Sequence, residues 1–217
     1  MHSESRLITG TNLGVRYKMP FSGRGIRQHS SSHHWAFRGL NITLEQGEIL
    51  GVVGKNGSGK TTLCRVLSGI LEPDEGQFVC HYQVMPVFGF GVAFHPELTG
   101  IQNAYLYGAY YGRDSQFIDS ALEEVLDFAE LGDFVNQPMR TYSTGMKARL
   151  GFSLALAMKP EILILDEAFA AGDLHFRSRS EQLLEDALSG CRGVILVSHS
   201  SGLIARLANR VLEIDRV

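Results

Sequence analysis

The chain has 217 residues and contains no run of roughly twenty apolar residues, the length a helix needs to span a bilayer. Its first residues, Met1 to Gly10, hold no apolar core of a secretory signal. A membrane crossing is therefore not expected, and if the chain works in transport a separate protein must supply the pathway. Cysteine is scarce. Cys64, Cys80 and Cys191 lie too far apart for a metal motif, and a sparse, odd set suits a reducing cytosol. Neither sign of charge dominates: 20 Lys and Arg stand against 23 Asp and Glu, and the net charge of −3 gives no reason to expect nucleic acid as a partner. No internal repeat is visible. What remains is a globular composition, 44% hydrophobic and 20% charged, at a length that fits one domain with a sizeable core.

Charge and aromatics are unevenly spread. Ser5–Leu44 carries Arg6, Arg16, Lys18, Arg24, Arg27 and Arg38 and no acid, and its Gly-, Ser- and His-rich centre, Pro20–His34, reads as an exposed loop between two strands. Such a loop is either simply solvated or touches anionic headgroups or nucleotide phosphates. From Gly76 to Gly112 the one charged residue is Glu97, among Phe78, Phe88, Phe90, Phe94, Tyr105, Tyr107, Tyr110 and Tyr111. Part of that segment must be core. The rest is expected to form a docking surface.

Short apolar runs at Glu48–Val53, Glu161–Asp166 and Gly193–Ser198 read as buried parallel strands. Helical spacing appears in Gly59–Ile70, Ser115–Glu130, Ser143–Met158 and Leu174–Leu188. Strands alternating with helices predict an α/β fold with a mainly parallel sheet covered on both faces. Leu98–Leu131 shows helices without a clear strand, which predicts a small helical subdomain.

One motif is complete. Gly54-Lys55-Asn56-Gly57-Ser58-Gly59-Lys60-Thr61 fits G-x-x-x-x-G-K-[ST], after a buried strand and at the start of a helix. Glycines let the backbone curl so that successive N–H groups point at phosphate oxygens, and the helix N-terminus adds a favourable dipole. Lys60 can neutralise β- and γ-phosphates, and Thr61 can ligate Mg²⁺. A second element, Ile162-Leu163-Ile164-Leu165-Asp166-Glu167, ends an apolar strand in carboxylates. Asp166 is suited to hold Mg²⁺ and Glu167 to polarise an attacking water.

Upstream of that strand lies Tyr142-Ser143-Thr144-Gly145-Met146. It resembles the signature motif of ABC ATPases, whose common form is Leu-Ser-Gly-Gly-Gln. The order of parts then matches over nearly the whole chain. Asp166–Asp173 resembles the Walker B and D-loop segment, with Asp173 at the D-loop position. His199 resembles the switch histidine, and Tyr17 the aromatic that stacks on adenine, with Trp35 as its competitor. Narrower features point to a subfamily. Tyr-Ser-Thr-Gly-Met is similar to the signature of exporters of capsular polysaccharide, O-antigen and teichoic acid. Ala171-Gly172-Asp173 resembles their D-loop, Gly91–Asn103 resembles their Gly-x-x-Phe-x-x-x-Leu-Thr-Gly-x-x-Asn segment, and Ala168 replaces the proline common in importers.

The resemblance implies a single nucleotide-binding domain over 1–217. Its P-loop NTPase (RecA-like) lobe would cover about 1–88 and 160–217, with an antiparallel β part at the N-terminus, and a helical subdomain would be inserted at about 89–159. It implies an ATPase that uses ATP and Mg²⁺, with Gly54, Asn56, Gly57, Ser58, Gly59, Lys60, Thr61 and Thr62 around the nucleotide. Ser143, Thr144, Gly145 and Asp173 would complete the nucleotide of a second copy in an ATP-sandwich homodimer. Lys60, Glu167 and His199 would be the catalytic groups. A transmembrane permease would be the partner, and the cytoplasmic face of the inner membrane the peripheral location. The chain departs from the family in having no glutamine in Val84–Phe94, where Phe90 or Gly91 stands near the expected place and Gln83 and Gln102 are displaced. The sequence ends at Val217, so substrate selection by the extra C-terminal sugar-binding domain of some O-antigen exporters is not expected. Export of a lipid, peptide or drug, a non-transport ABC ATPase, and a nucleotide-binding regulator without hydrolysis remain alternatives.

Overall fold

The structure, a computed structural model, describes residues 5–18, 33–87, 94–166, 190–198 and 201–215. The chain divides into two compact units, one of Met1–Tyr82 with Ile195–Val217, the other of Gln83–Val194.

The first unit begins with two long strands, β1 (Arg6–Lys18) and β2 (His33–Glu45), paired antiparallel and joined by β4 (Glu75–Cys80) in the order β2-β1-β4. Their inward residues, among them Leu7, Ile8, Leu13, Phe37 and Leu44, are buried. Strand β3 (Ile49–Val53) runs into α1 (Lys60–Leu67), and the chain closes with α5 (Ser201–Leu207) and β8 (Arg210–Glu213). Here β3 lies between β7 (Gly193–Val197) and β8, parallel to β8 with Leu50 opposite Arg210. Leu50 and Val52 are fully buried, as a strand covered on both faces requires.

The second unit holds β5 (Val84–Val87), α2 (Gly100–Tyr110), α3 (Ser115–Ala129), α4 (Thr144–Ala157) and β6 (Ile162–Asp166), and takes in the start of β7. The order is β5-β6-β7, and β5 is parallel to β6 with Val84 opposite Ile162. Ile162 to Leu165 are all completely buried. Each helix starts on a side-chain cap. Thr99 and Gln102 form a reciprocal capping box on α2, Asp114 accepts from the Phe117 amide on α3, and Ser143 accepts from the Met146 amide on α4. Helices α3 and α4 pack through Phe128 and Phe152, whose ring centroids are 5.9 Å apart.

The fold is thus α/β, with parallel strand pairs, an antiparallel N-terminal sheet and a run of helices between β5 and β6. Strands β4, β5 and β8 were not among the sequence expectations. The helix expected at Leu174–Leu188 lies outside the described residues. Among the described residues no helix is long and apolar enough to cross a membrane.

Candidate functional site: a glycine-rich phosphate cradle

The site is built where β3 gives way to α1. Gly59 is the N-cap of α1 at φ 94°, a left-handed conformation that a side chain rarely adopts. Space is also lacking, because a Cβ at Gly59 would lie 2.6 Å from the Ala36 carbonyl oxygen. This glycine therefore meets two demands at once, the turn into the helix and close packing against β2. The first intrahelical bond is Leu63 N–H to Gly59 O, 2.8 Å. The amides of Lys60, Thr61 and Thr62 precede it and have no intrahelical acceptor. No side chain caps this end. Amide donors facing outward at a helix N-terminus make an anion cradle.

The Lys60 side chain, only 9% exposed, turns back into the loop. Its Nζ donates to the carbonyls of Gly54 at 2.7 Å and Lys55 at 2.9 Å. An ammonium held on neutral carbonyls can exchange them for charged phosphate oxygens, which are stronger acceptors. Asn56, Gly57 and Thr61 are exposed. Ser58 is the opposite: 1% exposed, with its amide on Lys55 O and no hydrogen-bond partner for its hydroxyl. The donor set and the bare helix end together fit a polyphosphate.

The two aromatic candidates are separated by their surroundings. Trp35 lies between two guanidinium groups, Arg16 at 5.7 Å and Arg38 at 4.7 Å from the ring centroid. Arg16 is paired with Asp74 and Arg38 with Glu75. Tyr17 is 40% exposed, and its hydroxyl is 3.2 Å from Thr62 Oγ1, on the first turn of α1. The ring near the cradle and open to a planar base is Tyr17. The same pairings bear on the basic N-terminal segment, where Arg6, Arg16 and Arg38 each face a carboxylate, Arg6 that of Glu45. Arg24 and Arg27 lie outside the described residues.

In the second unit, Asp166 is the half-buried last residue of β6. Its neighbour Glu167, together with Asp173 and His199, lies outside the described residues, as do Phe88, Phe90 and Gly91. Ser143 and Thr144 are exposed at the start of α4, and Gly145 is half-buried. The two displaced glutamines have other employment. Gln102 closes the α2 capping box and Gln83 donates to the Tyr111 carbonyl at 3.3 Å. Of the described aromatics between Gly76 and Gly112, Tyr107 is buried, and Phe78, Tyr82, Phe94, Tyr105 and Tyr111 are half-buried, while Tyr110 is 77% exposed. Tyr105 is held by a short bond from its hydroxyl to Asp119.

Two contacts escape the sequence reading. Thr62 is expected among the nucleotide-binding residues, but its tie to Tyr17 is a contact between β1 and α1 that spacing cannot show. Gly100 was read only as part of a motif. It occupies the first position of α2 without a positive φ, an unexplained glycine in a helix, and that is the signal that could have singled it out.

A family model described as ABC transporter matches residues 37–170. The ABC transporter protein AbcA of Aeromonas salmonicida is 39% identical over 181 residues, covering 83% of this chain and 59% of that protein. The O-antigen export system ATP-binding protein RfbB of Klebsiella pneumoniae is 34% identical over 180 residues, 83% of this chain and 73% of that protein. The chain therefore spans about three fifths to three quarters of these relatives' length. Among solved structures, the dimeric structure of MJ0796, a bacterial ABC transporter cassette, superposes with a TM-score of 0.80 at 24% identity, over 96% of this chain and 94% of that one.

Proposed function

The chain belongs to the ABC transporter family, and on that premise we propose that it binds and hydrolyses ATP to power export of a cell-surface polysaccharide of the capsule, O-antigen or teichoic acid class. The observation that carries the nucleotide assignment is the cradle itself. The α1 N-terminus is uncapped, and the Lys60 ammonium rests on loop carbonyls that phosphate oxygens can replace. The substrate class is supported by the kinship to an O-antigen export protein and by Tyr142–Met146.

Lys60 trades the Gly54 and Lys55 carbonyls for β- and γ-phosphate oxygens, and the amides of Lys60, Thr61 and Thr62 donate beside it. Tyr17, tethered through its hydroxyl to Thr62, offers its ring to adenine. Thr61 and Asp166 are the hard oxygen donors that would hold Mg²⁺, which when bound neutralises charge on the phosphate oxygens. Glu167 orients water for in-line attack, while Lys60 and His199 stabilise charge on the transferred group. A second copy contributes Ser143, Thr144, Gly145 and Asp173 to the same nucleotide, so ATP favours a closed homodimer and hydrolysis releases it. A separate transmembrane permease receives the motion, with the charge-poor segment around Tyr110 as its docking surface. The chain then works as a peripheral protein on the cytoplasmic face of the inner membrane.

Phosphate release by the purified chain tests the catalytic part. Glu167→Gln is expected to keep Mg·ATP bound and lose turnover by about a hundredfold or more; full turnover in that variant removes Glu167 from the role. In cells, the same substitution is expected to deplete surface polysaccharide. Intact surface glycan with loss of another exported molecule would replace the substrate class.

A further inference from the structure

The approach to the signature segment is a clasp. The turn at Pro96–Thr99 and the stretch Pro138–Arg140 are bonded to each other. Arg140 N–H donates to Pro96 O and Met139 N–H to Leu98 O, both at 2.9 Å, and Thr99 pairs with Pro138 in an isolated antiparallel bridge. The Tyr142 side chain closes the clasp. It is buried, and its hydroxyl donates to the Phe134 carbonyl at 2.7 Å. Burial raises the phenol's pKa, so it stays a neutral donor.

Gly100 is what lets that hydroxyl sit there. Its φ is not positive, so the backbone does not need glycine. Glycine at a helix position is a cost unless space demands it. The demand is specific: a Cβ at position 100 would lie 2.5 Å from the Tyr142 hydroxyl oxygen, while the next ring atom of Tyr142 is at 3.5 Å, ordinary contact. The severe conflict is with the hydroxyl oxygen; the Val135 carbonyl oxygen, 3.2 Å away, is a lesser one. Tyr142 immediately precedes Ser143, the N-cap of α4. Any shift of the ring is passed within one peptide unit to the hydroxyl and amides that the partner's nucleotide would meet.

We propose that Gly100 and the buried Tyr142 hydroxyl are a positioning pair that fixes where Ser143 and Gly145 are presented to the nucleotide of a second copy. The pair rests on the reading of Ser143–Gly145 as half of a shared ATP site. The pair includes none of the cradle residues, so it governs the composite site and not first binding. Catalysis by positioned groups is sensitive to displacements of about 1 Å, and the Tyr142 ring is buried and tied by its hydroxyl to Phe134.

The test is a suppressor experiment on the full chain, with Gly100→Ala, Tyr142→Phe and the double variant. For each, Mg·ATP affinity is measured at protein concentrations too low for dimers, and kcat at saturating ATP and high protein concentration. Gly100→Ala is expected to bind Mg·ATP like the parent and to lose about tenfold or more in kcat. Tyr142→Phe is expected to lose less. The double variant is expected to regain most of the kcat, because removing the oxygen leaves room for the Cβ once the Val135 carbonyl, 3.2 Å away, gives slightly. Should Gly100→Ala alone fail to fold, the double variant must still fold and turn over. An unchanged kcat in Gly100→Ala overturns the proposal. So does a loss that Tyr142→Phe does not relieve, or a loss of ATP affinity in step with kcat. A parent chain that binds no Mg·ATP instead overturns the reading of the site, and this inference with it.

Discussion

At the scale of single residues, the cradle separates side chains that act from those that only fill space. Lys60 is buried, and its ammonium donates to two neutral loop carbonyls, a resting arrangement that anions can displace. Ser58, two residues earlier, has a buried hydroxyl without a partner. A buried polar atom left unpaired costs stability, and replacing it by an apolar atom of similar size removes that cost. Ser58→Ala is therefore expected to leave Mg·ATP affinity unchanged and to stabilise the chain by about 1 kcal/mol, read by denaturant titration. A destabilised variant would show that the hydroxyl has a partner. The sequence announced most of these residues because the eight-residue loop is a local motif, in which spacing alone fixes the geometry. It left Tyr17 and Trp35 as competitors because the choice depends on who their neighbours are. Arg16 and Arg38 flank the tryptophan and Thr62 holds the tyrosine, and all of these contacts cross between elements distant in sequence.

At the scale of elements, the helices and the fully buried strands were legible, and the polar or short strands were not. Ile162 to Leu165 and Gly193 to Val197 are unbroken apolar runs, so strands covered on both faces could be read directly. Strand β4 alternates weakly through Glu75, Gln77 and Phe78, β5 has four residues including Pro86, and β8 begins and ends on charged residues. None offers the periodic signal that a strand assignment needs. These strands exist because a neighbour supplies hydrogen bonds, which is tertiary information. The loop leading into α2 shows how such information is concentrated in one side chain. Asn103 is completely buried. It accepts from the His95 amide at 2.7 Å and donates to the carbonyls of His95, Leu98 and Thr99. Asn103→Ala removes four hydrogen bonds at once and leaves the His95 amide without its acceptor, and is expected to destabilise the chain by about 1–3 kcal/mol in thermal or denaturant unfolding. A change below about 0.5 kcal/mol would mean that the loop is held by its other contacts.

At the scale of the whole molecule, the chain is a member of a family whose cassettes include dimers. In the proposed cycle the cradle of the first unit supplies amide donors and an ammonium to a polyphosphate, and the exposed Ser143 end of α4 serves the nucleotide of the other copy. Two copies placed face to face give each nucleotide both sets. That arrangement was foreseeable only through the resemblance of Tyr142–Met146 to a signature motif, because nothing in composition or periodicity points to a second copy. The most direct test is the mass of the Glu167→Gln chain in solution, measured by sedimentation equilibrium with no nucleotide, with Mg·ADP and with saturating Mg·ATP. The account predicts a monomer in the first two conditions and a dimer in the third, the dimer being lost when Lys60→Ala or Ser143→Ala is added. A chain that binds Mg·ATP tightly and stays a monomer, or that dimerises equally without it, would contradict the claim that two copies share each nucleotide.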